Sequence, residues 1–299
     1  MGNKKLLKLI VILGPTASGK TDLAIKLARK FNGEIISADS RQVYRGMDIG
    51  TAKIKKKEMK GVPHYLLDVA SPKRRFTVAQ YRKLALEAIN KILRKGKNPF
   101  LVGGTGFYIQ AVVDGIIIPE VPPDWKLRKK LEKKSVKELY QILKKLDPQR
   151  AKTIENENPR RLIRAIEIVK KIGRVPILRK KPLPYPVLMI GVKKTKKELE
   201  KKIRKRFFEW LKRGLIKEVK NLRKMGLSFK RIEDFGIHYR VVAKYLQKRL
   251  NYKEMIENSI KEIKNYAKRQ MTWFKKDERI HWIKNYKEAE KLVKNYLKK

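Results

Sequence analysis

Cysteine is absent from the 299 residues, which excludes disulfides, thiolate metal sites and cysteine nucleophiles. Its absence suits a reducing cytoplasm. Acidic residues are scarce, with 29 Asp and Glu against 78 Lys and Arg, a formal charge of +49. No apolar run approaches the ~20 residues needed to span a bilayer. The longest early one, Leu6–Leu13, is too short, and cleavage after it would destroy the glycine-rich loop that follows, so a secretory signal is excluded. Leu6 also stands where a myristoylation signal needs Ser or Thr. A soluble, cytoplasmic, monomeric protein without membrane contact is expected.

What is present is a foldable chain: 42% of it is hydrophobic, and its length suits one large domain or two modest ones. Packing so much positive charge into one globule is self-repulsive, so a polyanionic partner is implied; a general lysine bias would add to the same excess.

The first hundred residues alternate strand and helix signals. Leu6–Leu13 reads as a buried parallel strand and Thr21–Phe31 as a helix. Glu34–Ser37, Tyr65–Leu67 and Phe100–Val102 read as further strands. Thr77-Val78-Ala79-Gln80 is a capping box opening a helix that Gly96 closes. This repetition predicts an α/β fold with a mostly parallel sheet and flanking helices, residues 1–115 forming its first part. Pro119, Pro122 and Pro123 then break the chain. Trp125–Lys133, Val136–Leu146 and Pro159–Lys171 read as helices without intervening strands, an inserted helical subdomain over 116–182. Residues 183–299 return to the core, with a strand at Val187–Val192 and then a basic helical region that includes Tyr252–Phe274.

Gly14-Pro15-Thr16-Ala17-Ser18-Gly19-Lys20-Thr21 matches the P-loop pattern G-x-x-x-x-G-K-[ST] between a strand and a helix. Its glycines let backbone amides converge on a phosphate, Lys20 adds a point charge, and Thr21 can offer its hydroxyl to Mg²⁺. The bound group could be a triphosphate or a diphosphate. Asp39 follows the second strand and should face the same crevice, because ligands of doubly wound sheets sit at the carboxyl ends of the strands. There it could ligate magnesium or take a proton from a nucleophile.

The chain resembles the tRNA dimethylallyltransferases (isopentenyl-diphosphate:tRNA transferases) of the bacterial type. The likeness is carried by GPTASGKT at Gly14–Thr21, DSRQVYRGMDIGTAK at Asp39–Lys53 and VPHYLLD at Val62–Asp68. It continues in LVGGTGFYIQAVVDG at Leu101–Gly115, NPRRLIRAIEI at Asn158–Ile168 and AKRQMTW at Ala267–Trp273, and so covers nearly the whole chain. Two stretches depart from the family pattern: Ile237-His238-Tyr239-Arg240 where Gly-Tyr-Arg/Lys is usual, and Ile263-Lys264-Asn265 where Thr-Arg-Gln is usual.

The resemblance implies a P-loop fold of the nucleoside-triphosphate-hydrolase type and transfer of a dimethylallyl group from dimethylallyl diphosphate to the exocyclic N6 amine of the adenosine 3′ of a tRNA anticodon. Asp39 would be the general base, with Thr16 and Thr105 completing the catalytic set. Gly14, Pro15, Thr16, Ala17, Ser18, Gly19, Lys20, Thr21 and Arg206 would hold the diphosphate, and Thr21 the Mg²⁺. The tRNA would be met by Asp39, Ser40, Arg41, Gln42 and Thr105 at the adenine. Further contacts would come from Arg128, from Arg160, Arg161, Leu162, Ile163 and Arg164, from His238, Tyr239 and Arg240, and from Lys268, Arg269, Gln270 and Trp273. Phe207, Phe208 and Trp210 read as core residues, and His64 and His281 as packed or solvent-facing.

Two other readings share the loop. A small-molecule kinase or NTPase would use Tyr65-Leu66-Leu67-Asp68 as a Walker B strand. An adenylate isopentenyltransferase would prenylate a free nucleotide.

Overall fold

The computed structural model describes residues 7–117, 119, 121–176 and 180–298. Two compact units divide the chain: one runs to Gly115 and resumes at Pro182, and the other is Ile116–Lys181.

The larger unit is built on a six-stranded, wholly parallel sheet. Its strands are β1 (Leu9–Leu13), β2 (Gly33–Ala38), β3 (His64–Tyr65), β4 (Asn98–Gly103), β5 (Val187–Val192) and β6 (Ile280–Ile283), in the order β3-β2-β4-β1-β5-β6. Leu6, expected in the first strand, lies outside the described residues. In the centre of the sheet Val11 stands between Leu101 and Met189. Successive side chains of β1 point to opposite faces, and both faces are covered. Leu9, Val11 and Leu13 join one apolar cluster, whereas Ile10 and Ile12 join another with Ala24, Leu27 and Ala28 of helix α1 (Lys20–Lys30). An all-apolar strand is what such two-sided burial demands.

Helix boundaries follow their caps. Helix α2 (Val78–Arg94) opens at the Thr77–Gln80 capping box; at its end Gly96 takes φ 68° while the Gly96 and Lys97 amides donate to Leu93 and Ile92. Helix α3 (Gly106–Val113) had no periodic signal, because Tyr108, Ile109, Ala111, Val112 and Val113 are buried nearly all round it. The third strand is shorter than expected. Pairing stops at Tyr65, since Leu66 and Asp68 take positive φ of 63° and 57°. Asp68 instead pairs with the buried Lys53 at 2.6 Å.

The smaller unit contains α4 (Trp125–Leu131), α5 (Val136–Leu146), α6 (Pro148–Thr153) and α7 (Pro159–Ile172). Leu131, Leu139, Leu143, Leu162 and Ile166 form its core. Buried Glu167 accepts from Arg128 Nε and Nη2 at 2.5 and 2.6 Å, from Arg164, and from the Asp124 amide.

In the larger unit the remaining helices are α8 (Lys196–Lys212), α9 (Leu215–Lys224), α10 (Phe229–Asp234), α11 (Ile237–Leu246), α12 (Tyr252–Phe274) and α13 (Tyr286–Lys298). Among described residues no helix is long and apolar enough to cross a membrane.

Candidate active site

The carboxyl ends of β1, β2 and β4 open on one cavity of about 310 Å³. Thr16–Thr21 of the loop and Asp39 both line it, together with Arg206. The loop's shape depends on three left-handed or otherwise positive-φ residues, Gly14 (φ 155°), Ala17 (φ 64°) and Gly19 (φ 89°). A Cβ on Gly14 would stand 3.0 Å from the Ser18 hydroxyl and 3.2 Å from the Val192 carbonyl, so the loop closes tightly on β5. Ser18 Oγ is buried without a hydrogen-bond partner. A buried hydroxyl of that kind is costly unless a ligand oxygen completes it.

Lys20 Nζ donates to the Pro15 carbonyl at 3.2 Å. Burial pulls its ammonium down to about 8; Asp39 opposes that fall and Arg206 adds to it. Burial also lowers Arg206, against the pull of Asp22 and Glu209. Two desolvated cations facing one cavity favour a multiply charged anion there.

Asp39 Oδ1 accepts from the amides of Arg41 and Gln42, at 2.8 and 3.2 Å, which fixes the carboxylate at the end of β2. The Ser40 amide donates to Thr105 Oγ at 3.0 Å, and the Thr105 amide to the Ala38 carbonyl at 3.1 Å. This β2–β4 junction requires Gly103, whose Cβ would fall 2.1 Å from the Ala38 oxygen. The Tyr266 hydroxyl touches Thr105; burial chiefly, with Asp39 adding, raises it to about 12, so it stays protonated. Arg41 Nε donates to the Phe235 carbonyl and Gln42 Nε2 to that of Thr51, tying the loop after β2 to other residues of the lining.

Apolar and aromatic side chains also line the cavity, among them Ala52, Ile54, Trp210, Phe235, Ile237, Tyr239 and Ile263, interspersed with Thr51, Glu58 and His238. Burial first, then Arg41, holds His238 down to about 3, so its ring is neutral, 4.8 Å from the Trp210 ring. Trp210 is buried, as expected of a core residue, but it also lines the cavity. Helical spacing signals this, because Trp210 lies four residues beyond Arg206 on α8. The same spacing joins Tyr266 to Gln270 on α12. Neither Trp210 nor Tyr266 stood out as a site residue in the sequence alone.

Other expected contact residues are engaged within the protein. Leu162 and Ile163 face the small unit's core, and Arg128 and Arg164 are held by Glu167, Arg164 also donating to the Val121 carbonyl. Arg161 pairs with Glu155, and Arg160 is exposed on the same helix. Tyr239 is buried and donates to Glu218, and Arg240 Nε reaches the Glu233 carbonyl at 3.5 Å. Gln270 is buried between the P-loop and the Gly103–Gly106 turn. Lys268, Arg269 and Trp273 are exposed on α12. Asp68, the candidate Walker B acid, is committed to Lys53.

Residues 42–277 match the family model described as IPP transferase. The chain is 42% identical over 298 residues to the tRNA dimethylallyltransferase of Acetivibrio thermocellus, covering 96% of this chain and 95% of the relative. The crystal structure of the full-length tRNA isopentenylpyrophosphate transferase from Bacillus halodurans superposes with a TM-score of 0.74 at 37% identity, covering 98% of this chain and 97% of that one. A eukaryotic dimethylallyltransferase acting on tRNA matches with a TM-score of 0.76 at 25% identity, covering 97% of this chain and 77% of its own. A parallel sheet of P-loop type, two desolvated cations at its strand ends and likeness along almost the full length converge on one assignment: the chain belongs to the IPP transferase family, the tRNA dimethylallyltransferases.

Proposed function

We propose that the cavity transfers a dimethylallyl group from dimethylallyl diphosphate to the N6 amine of the adenosine 3′ of a tRNA anticodon, in the cytoplasm. The observation that carries this reading is that the P-loop, Asp39 and a set of apolar and aromatic side chains line one cavity. Loop amides, Ser18, Lys20 and Arg206 hold the diphosphate, and the apolar side chains of the lining receive the five-carbon chain. An adenine amine is a weak nucleophile because its lone pair is delocalised into the ring. Its nitrogen attacks C1 of the donor, the C1–O bond breaks, and the bonding pair leaves with diphosphate. The amine's proton passes to Asp39. General-base help of this kind is worth ~10²–10⁴-fold. Lys20 and the loop amides stabilise the charge that grows on the leaving oxygens.

Thr21 and Asp22 line the cavity beside Lys20 and offer oxygen donors. That donor set fits Mg²⁺, which binds through one or two protein oxygens plus phosphate and water rather than through an all-protein cage. When bound, the ion would neutralise charge on the diphosphate.

An anticodon-loop adenine must be splayed out to enter, at a cost of a few kcal/mol that backbone contacts offset. Exposed Lys268 and Arg269, and Arg160 on the smaller unit, are suited to those contacts, and Trp273 to base stacking. The test is mass analysis of an unmodified anticodon stem-loop after incubation with dimethylallyl diphosphate and Mg²⁺. One added dimethylallyl group on the adenosine is expected. Transfer to AMP but not to the stem-loop would overturn the acceptor, and nucleoside triphosphate turnover without transfer would overturn the chemistry.

A further inference from the structure

Gln270 was expected at the RNA surface through its place in the AKRQMTW segment. It is 6% exposed, and its carboxamide is used inward at both ends. Oε1 accepts from the Thr16 amide of the P-loop at 2.8 Å. Nε2 donates to the Gly104 carbonyl at 2.8 Å, in the turn that presents Thr105. The approach to that turn is close: a Cβ on Gly104 would lie 2.3 Å from Nε2. A turn to either side on α12, Tyr266 contacts Thr105 and Trp273 packs over Gly106, whose Cβ would stand 2.3 Å from the indole.

We infer that Gln270 is a positioning residue that joins the diphosphate loop to the acceptor-side turn, setting the distance between donor and acceptor rather than touching RNA. A primary amide can accept from one backbone and donate to the other in a fixed orientation, so one side chain ties the two loops together. The long α12, which also carries exposed Lys268 and Arg269, thereby reaches both halves of the reaction. The inference rests on the proposed transfer reaction for its kinetic consequence, but not for its effect on anion binding.

Two variants test it. Gln270→Leu removes both bonds at similar volume. It is expected to weaken inorganic diphosphate binding, measured without RNA, by roughly tenfold and to lower kcat on the order of 100-fold, as ångström-scale misplacement does. Gln270→Glu can restore both bonds only when the acid is protonated. Its activity relative to the unaltered enzyme is therefore expected to rise as pH falls from about 8 to about 6, with the same folded protein measured throughout. Unchanged diphosphate affinity in Gln270→Leu with a raised KM for the stem-loop would make Gln270 an RNA contact and overturn the inference. So would a flat pH ratio for Gln270→Glu. If the unaltered enzyme transfers nothing, the proposed function fails, and diphosphate affinity still decides this one.

Discussion

Protonation of Lys20 should govern diphosphate affinity within a convenient pH range. Burial holds its ammonium at about 8 against an ordinary 10.5. A bound diphosphate supplies the counter-charge the cavity lacks and returns the lysine to its charged form. The fraction already protonated falls from about nine-tenths at about pH 7 to about one-tenth at about pH 9. If only the ammonium form binds, affinity drops about tenfold across that interval, or about 1.4 kcal/mol. Calorimetry with a non-reactive prenyl thiodiphosphate in buffers of different ionisation enthalpy would also report about half a proton taken up near pH 8. Lys20→Met should bind weakly and without this pH slope. A constant Kd from about pH 7 to about pH 9, with no buffer-dependent heat, would refute the reasoning. The ligand-free fold gives the opposite signature. Between about 8 and 10.5 the unfolded lysine keeps a proton that the folded one has lost, so stability rises with pH through this window. Below it a penalty of about 3 kcal/mol is fully present, and Lys20→Met should relieve it.

Asp39→Asn keeps an oxygen to accept from the Arg41 and Gln42 amides but cannot take a proton; kcat should fall ~10²–10⁴-fold while stem-loop affinity, by filter binding, stays within a few-fold. Turnover near the unaltered rate would remove Asp39 as the base. Stem-loop affinity should fall steeply and linearly in log–log form with salt, since counterion release scales with phosphates contacted, and a flat response would mean that the +49 charge has no part in binding. Glu167→Ala strands Arg128 and Arg164 around a buried site, so chemical denaturation should show a loss of about 3–5 kcal/mol in the smaller unit. A loss below about 1 kcal/mol would show that the cluster relaxes to water.

Local chemistry in this chain is written in the order of its residues. The β1–loop–α1 sequence states its own geometry, because a buried strand, glycines able to take positive φ and a helix start are all contiguous. The Thr77 capping box marks the helix that starts at Val78, and the helices expected from Val136 and Tyr252 start there, behind the N-caps Ser135 and Asn251. Signals fail where burial removes periodicity, as in α3, or where a backbone turn overrides an apolar run, as after Tyr65.

What the sequence determined by itself was the parallel α/β class, the strand–glycine loop–helix geometry at Gly14–Thr21 and the basic character, each set by local steric preference, hydrophobic pattern or charge count. Tertiary structure alone decided which polar side chains face the cavity and which face the protein. Gln270 and Arg128 look alike in sequence, as polar residues on basic helices, with exposed Arg160 and Lys268. Only packing brings a backbone amide to the first and a buried carboxylate to the second. The physical reason is that a hydrogen bond's partner, unlike a helix's period, lies 39 or 254 residues away along the chain.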